Sequence, residues 1–195
     1  RVLIDAMGGH RAPEEGIEAL RRAGGRWEWF HPLRFGRVTL FHRRNHRRAI
    51  VVDGSVGFAG GAAFADVWLG HAQDPDHWRD THYRIEGPAV AHMQAAFMDN
   101  WMKVSGTVLD GEEYFPVIEA TGPHTAQMFQ SSSQGGSESM HLMYLLSVAA
   151  AKESIDLAMA YFVPDEIALE ALVAALRRGV RVRIIMPGPI TDASL

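Results

Sequence analysis

The chain is expected to fold as an α/β protein, a sandwich with a mixed, largely parallel sheet. Two observations carry this: short β-rich runs alternate with longer stretches in which apolar residues recur every three or four positions, and glycine or proline marks most of the junctions. Val2–Asp5 reads as a strand and Pro13–Ala23 as a helix that stops at Gly24-Gly25, where glycine accepts the left-handed backbone of a helix end. Arg26–Phe30 alternates, so Trp27 and Trp29 share a face and are expected in the core. Ala49–Val52 and Val56–Ala59 flank Asp53-Gly54, a strong signal for a two-residue hairpin turn. Thr81–Ile85 reads as a further strand. After Gly87-Pro88, the residues Val90, Met93, Phe97 and Trp101 mark one face of an amphipathic helix with proline in its first turn. Its methionines and tryptophan are expected to be core. Leu109–Thr125, rich in acids, glycine and proline, reads as a linker. A strand near Gln127–Ser131, a helix Ser137–Ala151 and a strand Ile155–Ala160 follow. A helix Asp165–Arg178, with Leu169, Leu172, Val173 and Leu176 inward, and a buried strand Val182–Met186 complete the pattern.

Composition sets the outer bounds. With 195 residues and 47% hydrophobic content there is enough apolar material for one ordinary domain or parts of two. No stretch approaches 18 uninterrupted apolar residues, so no transmembrane helix is expected, and no signal peptide is visible. The absence of cysteine excludes disulfides and thiolate metal sites. The histidines His71, His77, His82, His92 and His141 show no metal-ligand spacing, so neither metal nor cofactor is expected. The net charge of −4 conceals an asymmetry: Arg34, Arg37, Arg43, Arg44, Arg47 and Arg48 lie between Trp29 and Val52 with no acid among them. Such a patch draws an anionic partner, either lipid headgroups or nucleic acid. Phe35 to Phe41 is a candidate lipid contact within it.

The stretch richest in chemistry is His46-x-Arg48-x4-Asp53-x6-Gly60-Gly61. On an extended strand His46 and Arg48 would project from the same face. Phosphodiester cleavage needs a nucleophile, a proton donor for the leaving oxygen and fixed positive charge around the transition state. Histidine suits either of the first two tasks and arginine the third. Asp53 is explained first by the hairpin turn and only second by catalysis.

This spacing resembles the H-x-K-x4-D-x6-G signature of the phospholipase D superfamily, with Arg48 in the lysine position. The resemblance implies a phospholipase D-like sandwich and reaction through a phosphohistidine. Arginine's planar fork is not equivalent to a lysine ammonium. Where family members continue Gly-Ser-x-Asn, this chain has Gly61 and Ala63, which leaves more of the phosphate contact to backbone N–H groups. The run from Ala65 through Trp78-Arg79-Asp80 to Pro88, then Asp99-Asn100-Trp101, Tyr161-Phe-Val-Pro-Asp165 and Arg178–Gly188, looks like the bacterial cardiolipin synthase branch. By position, Asp80 is the acid that in the family accepts a hydrogen bond from the nucleophile's ring. The alternative makes it a surface partner of Arg79 or Arg84. His46, Arg48, Asp53 and Asp80 are thus the candidate catalytic residues, and Gly60, Gly61 and Arg44 the candidate substrate-binding ones.

Arg1–Gly9 and Val182–Asp192 look like one strand-and-turn in two successive repeats, both incomplete. Residues 1–120 then belong to the first repeat, with its signature, and residues 121–195 open the second, whose signature is absent. Either the chain is a piece of a longer one or a homodimer supplies the missing histidine. The resemblance implies phosphatidyl transfer between phosphatidylglycerol-type lipids at a membrane surface, with no nucleic acid partner. The protein would sit at the cytoplasmic membrane, peripherally or anchored through a segment before Arg1. The alternatives are a hydrolytic phospholipase D, a phospholipase D-type nuclease, or a degenerate, non-catalytic module that binds anionic lipid.

Overall fold

The computed structural model describes residues 1–32, 45–131 and 137–188. It falls into two compact units, Arg1–Met128 and Phe129–Leu195. The candidate lipid contact at Phe35 to Phe41 and the candidate Arg44 lie outside the described residues.

The first unit opens with a β–α–β: β1 (Val2–Asp5), α1 (Glu14–Arg22) and β2 (Trp27–Phe30). The two strands are parallel, with Val2 beside Trp27 and Asp5 beside Phe30. The helix ends on a left-handed Gly24 at φ 83°, a backbone that glycine adopts without a Cβ penalty. Trp27 and Trp29 share a face as expected and meet edge to face at 5.3 Å, yet both are only half-buried; Phe30 is the buried residue of the strand.

Three antiparallel strands follow as a meander, β3 (Ala49–Val52), β4 (Val56–Gly60) and β5 (His82–Glu86), in the order β3-β4-β5. The β3–β4 turn places Asp53 at φ 50° and Gly54 at φ 63°, and the Ser55 N–H bonds the Val52 carbonyl at 3.1 Å. Two successive left-handed residues match the twist of the flanking strands, which is why Asp-Gly is favoured here. Gly54 is also required for space, because a Cβ there would lie 2.6 Å from the Tyr114 carbonyl oxygen. The segment expected to be a linker therefore packs on the hairpin, and Leu109 within it is buried.

Helix α2 (Ala89–Ser105) lies against β2, β3, β4 and β5. Val90, Met93, Ala96 and Trp101 form its buried face, with Phe97 stacked on Trp101 at 5.7 Å. Gly57 of β4 leaves the room that the Met93 thioether fills. Gly106, at φ 68°, ends the helix.

The second unit contains α3 (Ser137–Ala150), β6 (Ser154–Ala158), α4 (Glu166–Arg177) and β7 (Arg181–Ile185), with β6 and β7 parallel. Asp165 caps α4 by accepting the Ala168 N–H at 2.8 Å, which gives the Pro164-Asp165 pair a structural reason. His141 of α3 lies 3.1 Å from the Asp165 carboxylate. Arg183 grips Asp156 across the strands at 2.6 and 2.9 Å and holds that carboxyl below its usual range. Leu172, Ala175 and Val180 are buried.

The mixed α/β class holds, and besides the half-buried tryptophans and the packed linker the structure departs from the pattern read from the sequence in four places. Among the described residues the strands form three small sheets, β1-β2, β3-β4-β5 and β6-β7, instead of one. Residues 127–131 form no strand. Leu169 and Leu176 of α4 are exposed. The strand expected to be buried at Val182–Met186 leaves Ile184, Ile185 and Met186 exposed, Ile185 by 71%.

One polar contact closes the second unit. The Arg178 guanidinium, just past α4, donates to the carbonyls of Val148 and Ala149 at 3.0 and 3.2 Å, where α3 leaves acceptors unpaired. Because the arginine is exposed, its loss is discounted for solvent: Arg178→Ala should lower stability by about 1 kcal/mol. Thermal and urea unfolding would show it, and an unchanged midpoint would assign the closure to apolar packing alone.

Candidate active site

His46 and Arg48 lie in residues 45–48, an irregular segment immediately before β3, and both side chains are exposed. The strand that would aim them to a common side begins only at Ala49. What fixes the segment is side-chain bonding to its backbone. The Asn45 N–H donates to the Asp5 carboxylate at 2.9 Å, and the Asn45 side-chain oxygen accepts the Arg47 N–H at 3.0 Å. Neither Asp5 nor Asn45 was singled out in the sequence, where nothing in residue type marks a bond received by a backbone amide.

Gly60 ends β4 opposite His82 of β5. The β3–β4 register ends with Ala49 opposite Ala59, so Arg48 and Gly60 each lie one residue beyond the last β3–β4 pair, at the same end of the sheet. A Cβ on Gly60 would sit 2.6 Å from the His82 ring nitrogen Nδ1. Asp53 occupies the hairpin turn at the far end of β3, roughly 20 Å of extended chain from His46. Its position accounts for the turn and brings it to neither His46 nor Arg48.

Between Gly61 and Asp80 the chain makes a self-contained loop. A 3₁₀ turn at Asp66–Trp68 lets Trp68 meet Trp78 edge to face at 5.5 Å, and the Trp78 N–H donates to the Val67 carbonyl at 2.6 Å. Asp74 accepts from the His77 ring at 2.6 Å and from the Asp76 N–H at 3.0 Å, and the histidine bond holds its carboxyl below the usual range. The loop returns Asp80 to the glycine pair: a Cβ on Gly61 would fall inside the Asp80 carboxylate. Asp80 bonds the Thr81 N–H at 2.6 Å, while Arg84 pairs with Glu86. Among the described residues no hydrogen bond joins Asp80 to His46. The structure therefore brings Asp80 to Gly61 and places Arg48 just before β3, at the end of the sheet where Gly60 closes β4. Among the described residues no group of three or more histidines and carboxylates could hold a metal ion.

With this geometry in view, comparison with known proteins gives a consistent answer. A family model described as the phospholipase D-like domain of cardiolipin synthase matches residues 145–195. Cardiolipin synthase 2 of Bacillus cereus is 34% identical over 190 residues, which is 96% of this chain and 37% of that protein. Cardiolipin synthase 2 of Staphylococcus epidermidis and a cardiolipin synthase of Staphylococcus aureus are each 33% identical over the same share of the chain, and 39% and 38% of their own lengths. No solved structure gives a significant match. The chain is similar to the phospholipase D superfamily. Within it, the similarity is to the bacterial cardiolipin synthase branch. The chain spans less than two-fifths of the length of these relatives.

The contact between Gly61 and Asp80 is directly testable. Gly61→Ala should turn the carboxylate aside, since its end is free to rotate, at a cost of about 1 kcal/mol or less. The Thr81 amide should lose its partner, seen as a changed proton shift and faster hydrogen exchange. An unaltered Thr81 amide would show that Asp80 does not depend on the missing Cβ.

Proposed function

We propose that this chain carries the first reacting half of a cardiolipin synthase-like phosphatidyltransferase, with His46 as nucleophile. The observation that carries the reading is the likeness to cardiolipin synthases over 96% of the chain, supported by a signature whose histidine and cation immediately precede β3 and whose glycine pair follows from the end of β4. In the proposed reaction the His46 ring nitrogen attacks the phosphorus of a phosphatidylglycerol. The bond to the leaving glycerol oxygen breaks, and a phosphatidyl-histidine remains. The free hydroxyl of a second phosphatidylglycerol then attacks phosphorus, restores the imidazole and yields cardiolipin. Arg48 lends charge to the equatorial oxygens over the open floor of Gly60, and the Gly60–Gly61 backbone adds N–H donors. Asp80 would orient the ring once substrate draws the two together, as catalytic bonds often tighten only in the complex. The leaving alkoxide takes a proton from a second histidine, which then accepts the proton of the attacking hydroxyl; in the proposed two-repeat arrangement that histidine would come from the other repeat's signature or a partner subunit.

The substrate class sets the location. Phe64 and Leu69, on the loop between Gly61 and Asp80, are 91% and 74% exposed, and side chains of this kind beside a reaction site suit contact with a lipid surface. Among the described residues no helix is long and apolar enough to cross a membrane. The proposed placement is peripheral, on anionic lipid.

In the full-length protein, on phosphatidylglycerol vesicles, His46→Ala should abolish cardiolipin formation while leaving the melting temperature unchanged. Activity near wild type would remove His46 from the reaction. Phosphatidic acid as the main wild-type product would instead mark a hydrolase.

Arg48→Ala should lower turnover by roughly two to three orders of magnitude, the usual scale for losing such a donor. Arg48→Lys should recover much of that loss. Equal loss in both variants would mean that the site is built around arginine's fork.

A further inference from the structure

Asp5 ends β1 and uses both carboxylate oxygens. Oδ1 accepts the N–H groups of Met7 at 2.9 Å and Gly8 at 3.2 Å, closing the turn after the strand. Oδ2 accepts the Asn45 N–H at 2.9 Å, forty residues further along, in a part-buried bond. The Asn45 side chain passes the constraint on by accepting the Arg47 N–H at 3.0 Å. His46 therefore stands between two residues whose backbones are both pinned, the first to β1 and the second to the first.

The chemistry requires a carboxylate at this position. Three N–H donors converge on one group at two oxygens, which an ionised acid accepts with ease. An asparagine offers one acceptor oxygen and must turn its NH₂ toward a donor at the other. The bond also matters more here than it would within a strand. Residues 45–48 have no ladder of their own, so among the described residues the bond to Asp5 is what holds the backbone at Asn45.

We propose that Asp5 is a positioning residue: through Asn45 it sets the aim of the His46 ring at phosphorus. The proposal rests on His46 being the nucleophile. A reacting group displaced by about 1 Å can lose on the order of a hundredfold in rate. Slackening one backbone bond beside His46 should therefore appear in turnover before it appears in stability.

The experiment uses the full-length protein on phosphatidylglycerol vesicles and compares Asp5→Asn, Asn45→Pro, their double variant and His46→Ala. Asn45→Pro removes the N–H donor to Asp5 and also the side-chain oxygen that accepts the Arg47 N–H, and leaves the carboxylate in place. Each single variant should lower kcat about ten- to hundredfold, with the apparent KM within about twofold and the melting temperature nearly unchanged. The double variant should be no worse than Asn45→Pro alone, since that change already removes the bond that Asp5→Asn weakens. Additive losses, wild-type kcat in either single variant, or a kcat that falls only in step with the melting temperature would overturn the proposal. If Asp5→Asn does not fold, Asn45→Pro decides alone. An inactive His46→Ala beside fully active Asp5 and Asn45 variants defeats the positioning role only. An active His46→Ala defeats the nucleophile reading, and the proposal with it.

Discussion

The buried face of α2 is the constraint on which the first unit depends. Val90, Met93 and Trp101 are almost wholly removed from solvent, and each such side chain contributes about 1.5–3 kcal/mol. The helix spans two sheets, touching β2 of one and β3, β4 and β5 of the other. Neither a two-stranded nor a three-stranded sheet has much independent stability without a helix over its apolar face. Gly57 shows how close the fit is, since any side chain there would collide with Met93. The β3-β4-β5 sheet that carries the glycine pair, and leads back to His46, is therefore held by a helix that contributes no group to the site.

Burial does not reach as far as His46. His46 and Arg48 are exposed, Asn45 and Arg47 only half-buried, and the segment 45–48 lies outside the strands. Order at that point depends on polar bonds from side chains to backbone: Asp5 to Asn45, Asn45 to Arg47, Asp80 to Thr81. Bonds of this kind contribute modest stability when solvent competes, but they are directional. Apolar packing thus sets the platform and charge-assisted bonds set the aim, on two sheets that α2 holds together. The loop between Gly61 and Asp80 repeats this division on a smaller scale: Trp68 and Trp78 supply its packing, while Asp74 organises its turn.

Local signals were legible in the sequence and long-range ones were not. The Asp53-Gly54 turn, the Gly87-Pro88 pair before α2, and the helix-stopping Gly24 act within a few residues, and each stands where its chemistry requires. An apolar run such as Val182–Met186 states that a face is apolar without stating that another layer covers it, so the burial of Ile184 and Ile185 was misjudged. The same holds for Leu169 and Leu176, which at i and i+7 share the face of the buried Leu172 at i+3 and are nonetheless exposed, since among the described residues nothing covers that face beyond Leu172. The segment at 127–131 reads as a strand, yet a strand needs a neighbour to bond, and among the described residues it has none. At the site, His46, Arg48 and the glycines were found by spacing. Asp80 was found by position, and its contact with Gly61 gives that position a steric reason. The bond from Asp5 to Asn45 was out of reach, because it crosses forty residues and ends on a backbone N–H that every residue except proline has.

Exposure of the site has a chemical consequence for the proposed reaction. A cation beside a phosphoryl group in open water has its effect diluted by solvent, and the same pair in a dry, low-dielectric setting is several times stronger. Arg48 is exposed, just before the strand that pairs with β4. Water must also be kept from a phosphatidyl-histidine if a lipid hydroxyl, and not hydrolysis, is to resolve it. In the proposed setting both needs are met by the same event. A lipid surface met by Phe64 and Leu69 would lower the dielectric around Arg48 and present the second lipid's hydroxyl in place of bulk water. On this view the partition between transfer and hydrolysis belongs to the enzyme–membrane interface rather than to any single side chain, which agrees with a signature that serves both reactions without changing its residues.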